Sequence, residues 1–426
     1  MRIGVCLVGL NPTYVGGLTT YTVGLINGLL KNARGHQIVL LAGDDVPHAL
    51  AERIDLAAGA AVVSLEVPRR GLVERLTALP GLEALHPRMR NRRMQGVAGQ
   101  IASSCDVLLC PLGFMPSYEL RVPSIVSFHD LQHEVYPQFF TWRELRTRRV
   151  LYGANFRHAT LIQASSIAMR NEALRVYADR LGPERVTVIP EGVDFAAFAA
   201  ATDEDARKRY GLPGEFLFYP AQLWHHKNHL RLLEALDLIR SRENTRIPLV
   251  LTGGEFGAAP AIRRFIEDRE LRDQVFVLGK VPYSALRSLY RQASYVLSAS
   301  LHESNCLPLL EAAASGTPMI VADIPANRES AEIFRVRLFD PLDVGSIAAT
   351  VMEAWENRHT NLEAENANRE VARRLDWTAI ADMYIGEAER LAGNRCPGRG
   401  ARDANALEDR QDLADESTRA HGRQRA

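Results

Sequence analysis

Strand-like and helix-like runs alternate along almost the whole chain, and this alternation most constrains its fold. In the first half, short apolar runs at 2–9, 37–42, 106–110, 124–128, 160–164 and 186–189 read as strands. In the second half the same reading applies at 216–221, 248–252, 275–278, 294–299, 319–322 and 337–339. Amphipathic stretches near 228–240, 260–270, 284–292, 308–315 and 343–356 predict helices between them, and another helix follows Gly16-Gly17. Strictly alternating strands and helices imply parallel sheets with right-handed crossovers. A chain of 426 residues exceeds what one ordinary core organises. The two runs of alternation therefore predict two doubly wound α/β domains, each placing ligands at the carboxyl ends of its strands.

Several of those strand ends carry residues suited to anionic or sugar ligands. The run Ala293–Ser300 leads into Glu303-Ser304-Asn305-Cys306-Leu307-Pro308-Leu309-Leu310-Glu311, and Gly316 stops the helix that follows. Pro308 suits a first helical turn, where no backbone N–H is missed. A helix starting at a strand end offers free N–H groups and a positive dipole end to an anion. The spacing puts Glu303 on the loop and Glu311 on the first helical turn. Gly16-Gly17 opens a helix after the first strand and permits close backbone approach. Lys227, in Gln222-Leu223-Trp224-His225-His226-Lys227, stands at a helix start, where a cation is unfavourable unless an anion joins it. Gly253-Gly254 and Leu278-Gly279 end two further strands, and His129 follows the strand 124–128. Neither a Walker sequence nor a dinucleotide-type glycine pattern is present.

Taken in order, these segments resemble retaining glycosyltransferases of the GT-B fold, family 4. Glu303 and Glu311 match the family's Glu-x7-Glu motif, Gly16-Gly17 its glycine-rich first loop, and Lys227 the lysine of its Arg-x4-Lys element. The resemblance covers about residues 1–392 and implies transfer of a hexose, mannose among the candidates, from a nucleoside diphosphate sugar. It implies His129, Lys227 and Glu303 at the reacting centre, with Glu303 holding the donor sugar. Donor contacts then fall to Gly16, Gly17, Gln222, Lys227, Gly253, Leu278, Ser304, Asn305, Cys306 and Leu307, and Glu311 takes the ribose. It further implies a saccharide or lipid-linked saccharide acceptor, cell-surface polysaccharide synthesis, and no cofactor or metal. Two departures stand out: Gln222 occupies the usual arginine position, and Ser304-Asn305-Cys306 replaces a common Gly-Phe-Gly. An amide supplies no charge to a phosphate, which leaves His225 or His226 as candidates for the balance. A sugar-nucleotide epimerase of the same fold and an inactive sugar-nucleotide-binding partner protein are the alternative readings.

The domain pattern predicts an acceptor-binding domain at 1–195 and a nucleotide-sugar domain at 196–375. By resemblance, a helix at 376–392 returns to the first domain. A tail at 393–426, mixing Arg, Asp, Ala and Gly without an aromatic residue, is expected to be disordered. The formal net charge of zero gives no electrostatic support to nucleic-acid binding. Five scattered cysteines, Cys6, Cys105, Cys110, Cys306 and Cys396, point to free thiols in a reducing, cytoplasmic setting. No apolar run reaches a membrane span. Residues 69–93 hold seven arginines against two glutamates. That segment fits peripheral contact with an anionic membrane or a solvated helical face equally well. Asp203-Glu204-Asp205 has a metal-binding spacing, but an acidic helix start explains it better.

Overall fold

In the computed structural model the described residues are 1–10, 16–43, 53–55, 59–68, 85–201, 204–359 and 362–393. They form two parallel sheets. The first has strands β1 (Arg2–Cys6), β2 (Gln37–Ala42), β3 (Ala61–Ser64), β4 (Val107–Cys110), β5 (Ser124–Phe128), β6 (Leu161–Ala164) and β7 (Val186–Val188). The second has β8 (Leu217–Pro220), β9 (Leu249–Thr252), β10 (Val275–Gly279), β11 (Tyr295–Ser298), β12 (Met319–Ala322) and β13 (Arg337–Phe339). Their orders are β3-β2-β1-β4-β5-β6-β7 and β10-β9-β8-β11-β12-β13. Each order reverses direction once, between β1 and β4 and between β8 and β11. A crevice opens beyond the carboxyl ends of the strands at such a point.

The helices that shape this crevice are α1 (Gly17–Lys31), α2 (Trp142–His158), α3 (Ile167–Val176), α4 (His229–Glu243), α5 (Leu307–Ser315), α6 (Pro325–Ala331), α7 (Leu362–Arg374) and α8 (Trp377–Gly393). The central strands are buried on both faces, as expected of Val/Ile/Leu-rich parallel strands covered by helices. β1 ends at Cys6, short of the run to residue 9, because Gly9 adopts φ +90 and turns the chain. Strand β3 and helices α6 and α7 are additions to the elements expected from sequence.

Helix α8 belongs to the first domain's core. Trp377, Ile380, Ala381, Tyr384 and Ile385 pack into the cluster that holds Ile3, Val5, Leu25 and Leu29. Glycines make the approach possible: a Cβ on Gly28 would lie 2.2 Å from the Trp377 carbonyl oxygen. Tyr384 also joins a buried hydroxyl cluster with Tyr21 and Ser127, where Gln163 accepts from Tyr21 at 3.2 Å. The chain thus passes between the domains twice, and the passes touch. Val193 N–H donates to Leu375 at 3.0 Å, and Trp377 N–H donates to Val193 at 3.2 Å.

The described cysteines Cys6, Cys105, Cys110 and Cys306 are free and buried, whereas Cys396 lies outside the described residues. So do Arg69, Arg70, Arg75, Asp203 and the tail beyond Gly393. Among the described residues no helix is long and apolar enough to cross a membrane.

Candidate functional site

The loops singled out by sequence meet between the two sheets. The Gly17 backbone opens α1 below β1, and a Cβ there would lie 3.7 Å from the Leu307 side chain at the start of α5. The first loop of one domain therefore faces the first helical turn after β11 of the other. Helix α5 has no side-chain cap at its N-terminus. Asn305 caps only locally, its Oδ1 accepting from Cys306 N–H at 2.8 Å. The start of α5 thus presents N–H groups and the helix dipole to the crevice.

Lys227 and Glu303 meet at the mouth of this loop as an ion pair, with side chains 19% and 13% exposed. The turn carrying Lys227 is short and strongly held. Asn228 closes it with φ +59, a conformation asparagine tolerates, and donates to the Pro341 carbonyl at 2.8 Å. Tyr219 donates to the Lys227 carbonyl at 2.7 Å, and Leu301 N–H donates to the His226 carbonyl at 2.8 Å. The loops after β8 and β11 are therefore sewn together, which fixes lysine against glutamate. An ammonium in this place is preset for an anionic ligand that competes with Glu303.

Glu311 lies just past the first turn of α5, one residue deeper than the sequence spacing predicts, because the helix already begins at Leu307. It is not an exposed dipole partner. Tyr290 donates to its carboxylate at 2.5 Å, and burial pushes the carboxyl up to about 7. Gly253 holds the neighbouring strand end at φ +132, and a Cβ there would sit 2.5 Å from the Ala221 carbonyl. Only glycine allows β8 and β9 to close so tightly. Leu278 is half-buried near the end of β10, before Gly279, which takes φ +68. Cys306 is enclosed, its thiol pushed up to about 12 by burial, so this cysteine serves packing and not nucleophilic chemistry.

Gln222 turns its side-chain oxygen toward Trp224, whose indole N–H donates to it at 3.0 Å. In the free protein His226 is held neutral, because burial first, and Lys227 second, depress its imidazole to about 2. His229 is likewise held neutral, near 3, by burial beneath Tyr219. His225 stacks on Phe139 of the first domain, ring centroids 5.8 Å apart. His129 is engaged with backbone: its Nε2 lies 2.6 Å from the Pro111 carbonyl, so the proton sits there and Nδ1 is left as an acceptor. Burial lowers its pKa, keeping the ring neutral beside Tyr21.

The domains also grip each other around the crevice. Ser166 donates to the Ser304 carbonyl at 2.9 Å, and Tyr136 donates to the Leu301 carbonyl at 3.2 Å. His302 and Glu172 pair at 3.0 Å; burial opposes the imidazolium, but Glu172 more than offsets it and raises the pKa. At the amino end of α3, Glu329 accepts from Ile167 and Ala168 N–H at 2.8 and 2.9 Å. Outside the crevice, Asp205 caps the helix Ala206–Tyr210 and Glu204 pairs with Arg209. Those two acids are thus the helix start anticipated from sequence. Arg90 in the basic segment donates to the Met115 and Pro116 carbonyls. Sequence reasoning missed Glu191, which the structure buries in the segment between β7 and the second domain.

Comparison with known proteins matches both halves of the chain to glycosyltransferase families. The family described as "Glycosyl transferases group 1" matches residues 202–371, and "Glycosyltransferase Family 4" matches residues 15–197. The chain is 25% identical over 204 residues to the O-antigen chain mannosyltransferase RfbU of Salmonella typhimurium, covering 48% of this chain and 53% of that protein. Over 282 residues it is 26% identical to the GDP-mannose:cellobiosyl-diphosphopolyprenol alpha-mannosyltransferase of Xanthomonas campestris, covering 64% and 68%. The chain thus spans about half to two thirds of the length of these relatives. In structure it matches Anabaena Alr3699/HepE in complex with UDP-glucose, with a TM-score of 0.68 and 18% identity over 92% of this chain and 100% of that one. At that identity the likeness is one of fold.

Proposed function

Because the chain belongs to the group 1 glycosyltransferases of the GT-B fold, we propose that it moves a hexose from a nucleoside diphosphate sugar to a saccharide or lipid-linked saccharide hydroxyl. The anomeric configuration is retained and no metal takes part. The observation that carries this reading is the Lys227–Glu303 pair beside the uncapped start of α5, opposite Gly17. Lys227 and the α5 N–H groups neutralise the departing diphosphate, the task a divalent cation performs elsewhere. Glu303, released from Lys227 by the donor phosphate, turns to the sugar hydroxyls, and Glu311 accepts from the ribose. The glycosidic C–O bond to the diphosphate breaks as the acceptor oxygen bonds to the same face of the anomeric carbon. The acceptor proton leaves with the diphosphate oxygen, so no protein nucleophile enters. His129, with its Nε2 bound to Pro111, offers Nδ1 to a donor hydroxyl.

The mannosyltransferase relatives favour mannose as the sugar and surface polysaccharide as the product. The test is a panel of nucleotide sugars incubated with the protein in excess chelator, with and without polyprenyl-linked saccharide acceptors. Acceptor-dependent release of nucleoside diphosphate, with the product linkage read by NMR, is the expected result. A changed sugar nucleotide without acceptor would identify an epimerase. Strict recovery on adding magnesium or manganese would overturn the metal-free assignment, and donor binding without turnover would leave a binding protein.

A further inference from the structure

The turn after β8 carries a large aromatic side chain at the point where the second sheet reverses its strand order. Trp224 stands there 37% exposed, yet it is held on two sides. Its ring lies face to face on Phe256 from the loop after β9, with centroids 4.0 Å apart and planes 15° from parallel. Its indole N–H donates to Gln222 Oε1 at 3.0 Å.

The backbone beneath this pair is pinned. Trp224 N–H donates to the Gln222 carbonyl at 2.7 Å and closes a tight turn. Leu223 N–H donates to the Gly254 carbonyl, and Ala258 N–H to the Leu223 carbonyl, both at 3.0 Å. A Cβ on Gly253 would come within 2.8 Å of the Gln222 backbone nitrogen. The turn is thus tied to the β9 loop, and the orientation of the Gln222 amide is set by the ring beside it. An indole N–H can only donate, so the end of the amide that faces it must be the oxygen. The reverse flip would set two donors against each other. Trp224 therefore decides which way the amide points: oxygen toward the ring, nitrogen away from it.

We propose that Trp224 is a positioning residue for the sugar nucleotide: it locks the Gln222 amide so that the N–H groups, and not the carbonyl oxygen, meet a phosphate. This inference rests on the donor site proposed above. An ionised phosphate has only acceptors, so an amide oxygen turned toward it repels and an amide nitrogen bonds. A freely rotating amide would lose binding to the wrong orientation, and a locked one does not. Gln222 then contributes hydrogen bonds without charge, while Lys227 from the same turn contributes the charge. Phe256 acts one step further out, as the surface that keeps the indole in place.

The test is calorimetry with GDP and with UDP at about pH 8, where the terminal phosphate is ionised. Trp224→Phe keeps an aromatic ring on Phe256 and removes the N–H. Affinity for the nucleotide that binds the wild type should fall about three- to tenfold, the scale of one neutral hydrogen bond. Gln222→Ala should lose at least as much, and adding Trp224→Phe to it should cost nothing more. Neither substitution changes a charge, so the salt dependence of binding should stay that of the wild type. Gln222→Glu reads the orientation directly: a carboxylate still accepts from Trp224 but has no N–H and repels phosphate, so it should bind more weakly than Gln222→Ala. A second readout needs neither a ligand nor a Trp224 variant. Of the four indole N–H resonances, one should move in Gln222→Ala, where its acceptor is gone, and in the opposite sense in Gln222→Glu, where its acceptor is charged. Wild-type affinity in Trp224→Phe, additive losses in the combined variant, Gln222→Glu binding as well as Gln222→Ala, or four unmoved indole resonances would overturn the assignment. If neither nucleotide binds the wild type, the proposed function fails, and the indole resonances still decide whether Trp224 holds the amide.

Discussion

Donor affinity should depend on the ionisation of Glu311, and the size of the effect follows from its surroundings. Tyr290 donates to this carboxylate, and burial pushes its pKa up to about 7. A ribose hydroxyl donates best to the ionised form. At about pH 6 a group with a pKa near 7 is ionised in roughly one molecule in eleven, so an affinity requiring the carboxylate falls about elevenfold, or about 1.4 kcal/mol. Above about pH 8 the contribution of Glu311 levels off. Calorimetry with an intact nucleoside diphosphate sugar measures this cleanly. A free nucleoside diphosphate would not, because its terminal phosphate titrates near pH 6. Glu311→Gln should weaken binding by about 1–3 kcal/mol at pH 8, the loss of a charge-assisted hydrogen bond, and abolish the acid limb. An affinity flat between about pH 5.5 and 7.5, or a limb that survives in Glu311→Gln, would show that the nucleotide does not use this carboxylate. Folding stability shifts the opposite way. The raised pKa means its contribution is full below the ordinary value of 4.5 and is lost as pH rises toward 7.

Two further outcomes are expected. Gly28→Ala improves helix propensity by up to about 1 kcal/mol, but its Cβ would stand 2.2 Å from a backbone oxygen that cannot yield. Overpacking should dominate and destabilise the protein by about 1–3 kcal/mol in thermal unfolding; a raised melting temperature would mean that α1 and α8 are not in this contact. Gln222→Arg should strengthen donor binding by about 1 kcal/mol and make it more salt-sensitive. Affinity and salt slope both unchanged would mean that residue 222 stays turned to Trp224 and does not face the phosphates.

The architecture was largely legible from sequence because buried parallel strands such as Val107–Cys110 and Met319–Ala322 are continuous apolar runs. What escaped detection lacked that signature. Ala61–Ser64 is an edge strand exposed on alternate residues, too short for its period to register. Helix α7 carries few apolar residues and gains its place by packing on α5. The site loops were legible as strand ends bearing glycine, lysine or glutamate. Glu191 was not, because burial alone sets it apart from a solvated acid. The neutral state of His226 was also beyond reach, since burial sets it and sequence carries no direct measure of burial.

The paired interdomain passes at Val193 and Leu375–Trp377 have a mechanical consequence. A single connecting strand is a swivel: it permits torsion as well as opening. Two strands bonded side by side define a line, and rotation about any other direction must shear the Val193 hydrogen bonds. The remaining freedom is that of a door, with the line of the two strands as its axis. Glu191 and Gly192 sit on that axis, where displacement is least, while Tyr136, Phe139 and Glu172 swing at the far edge. Opening then parts the two domains, and the contacts at the rim, such as Tyr136 to Leu301, break and re-form.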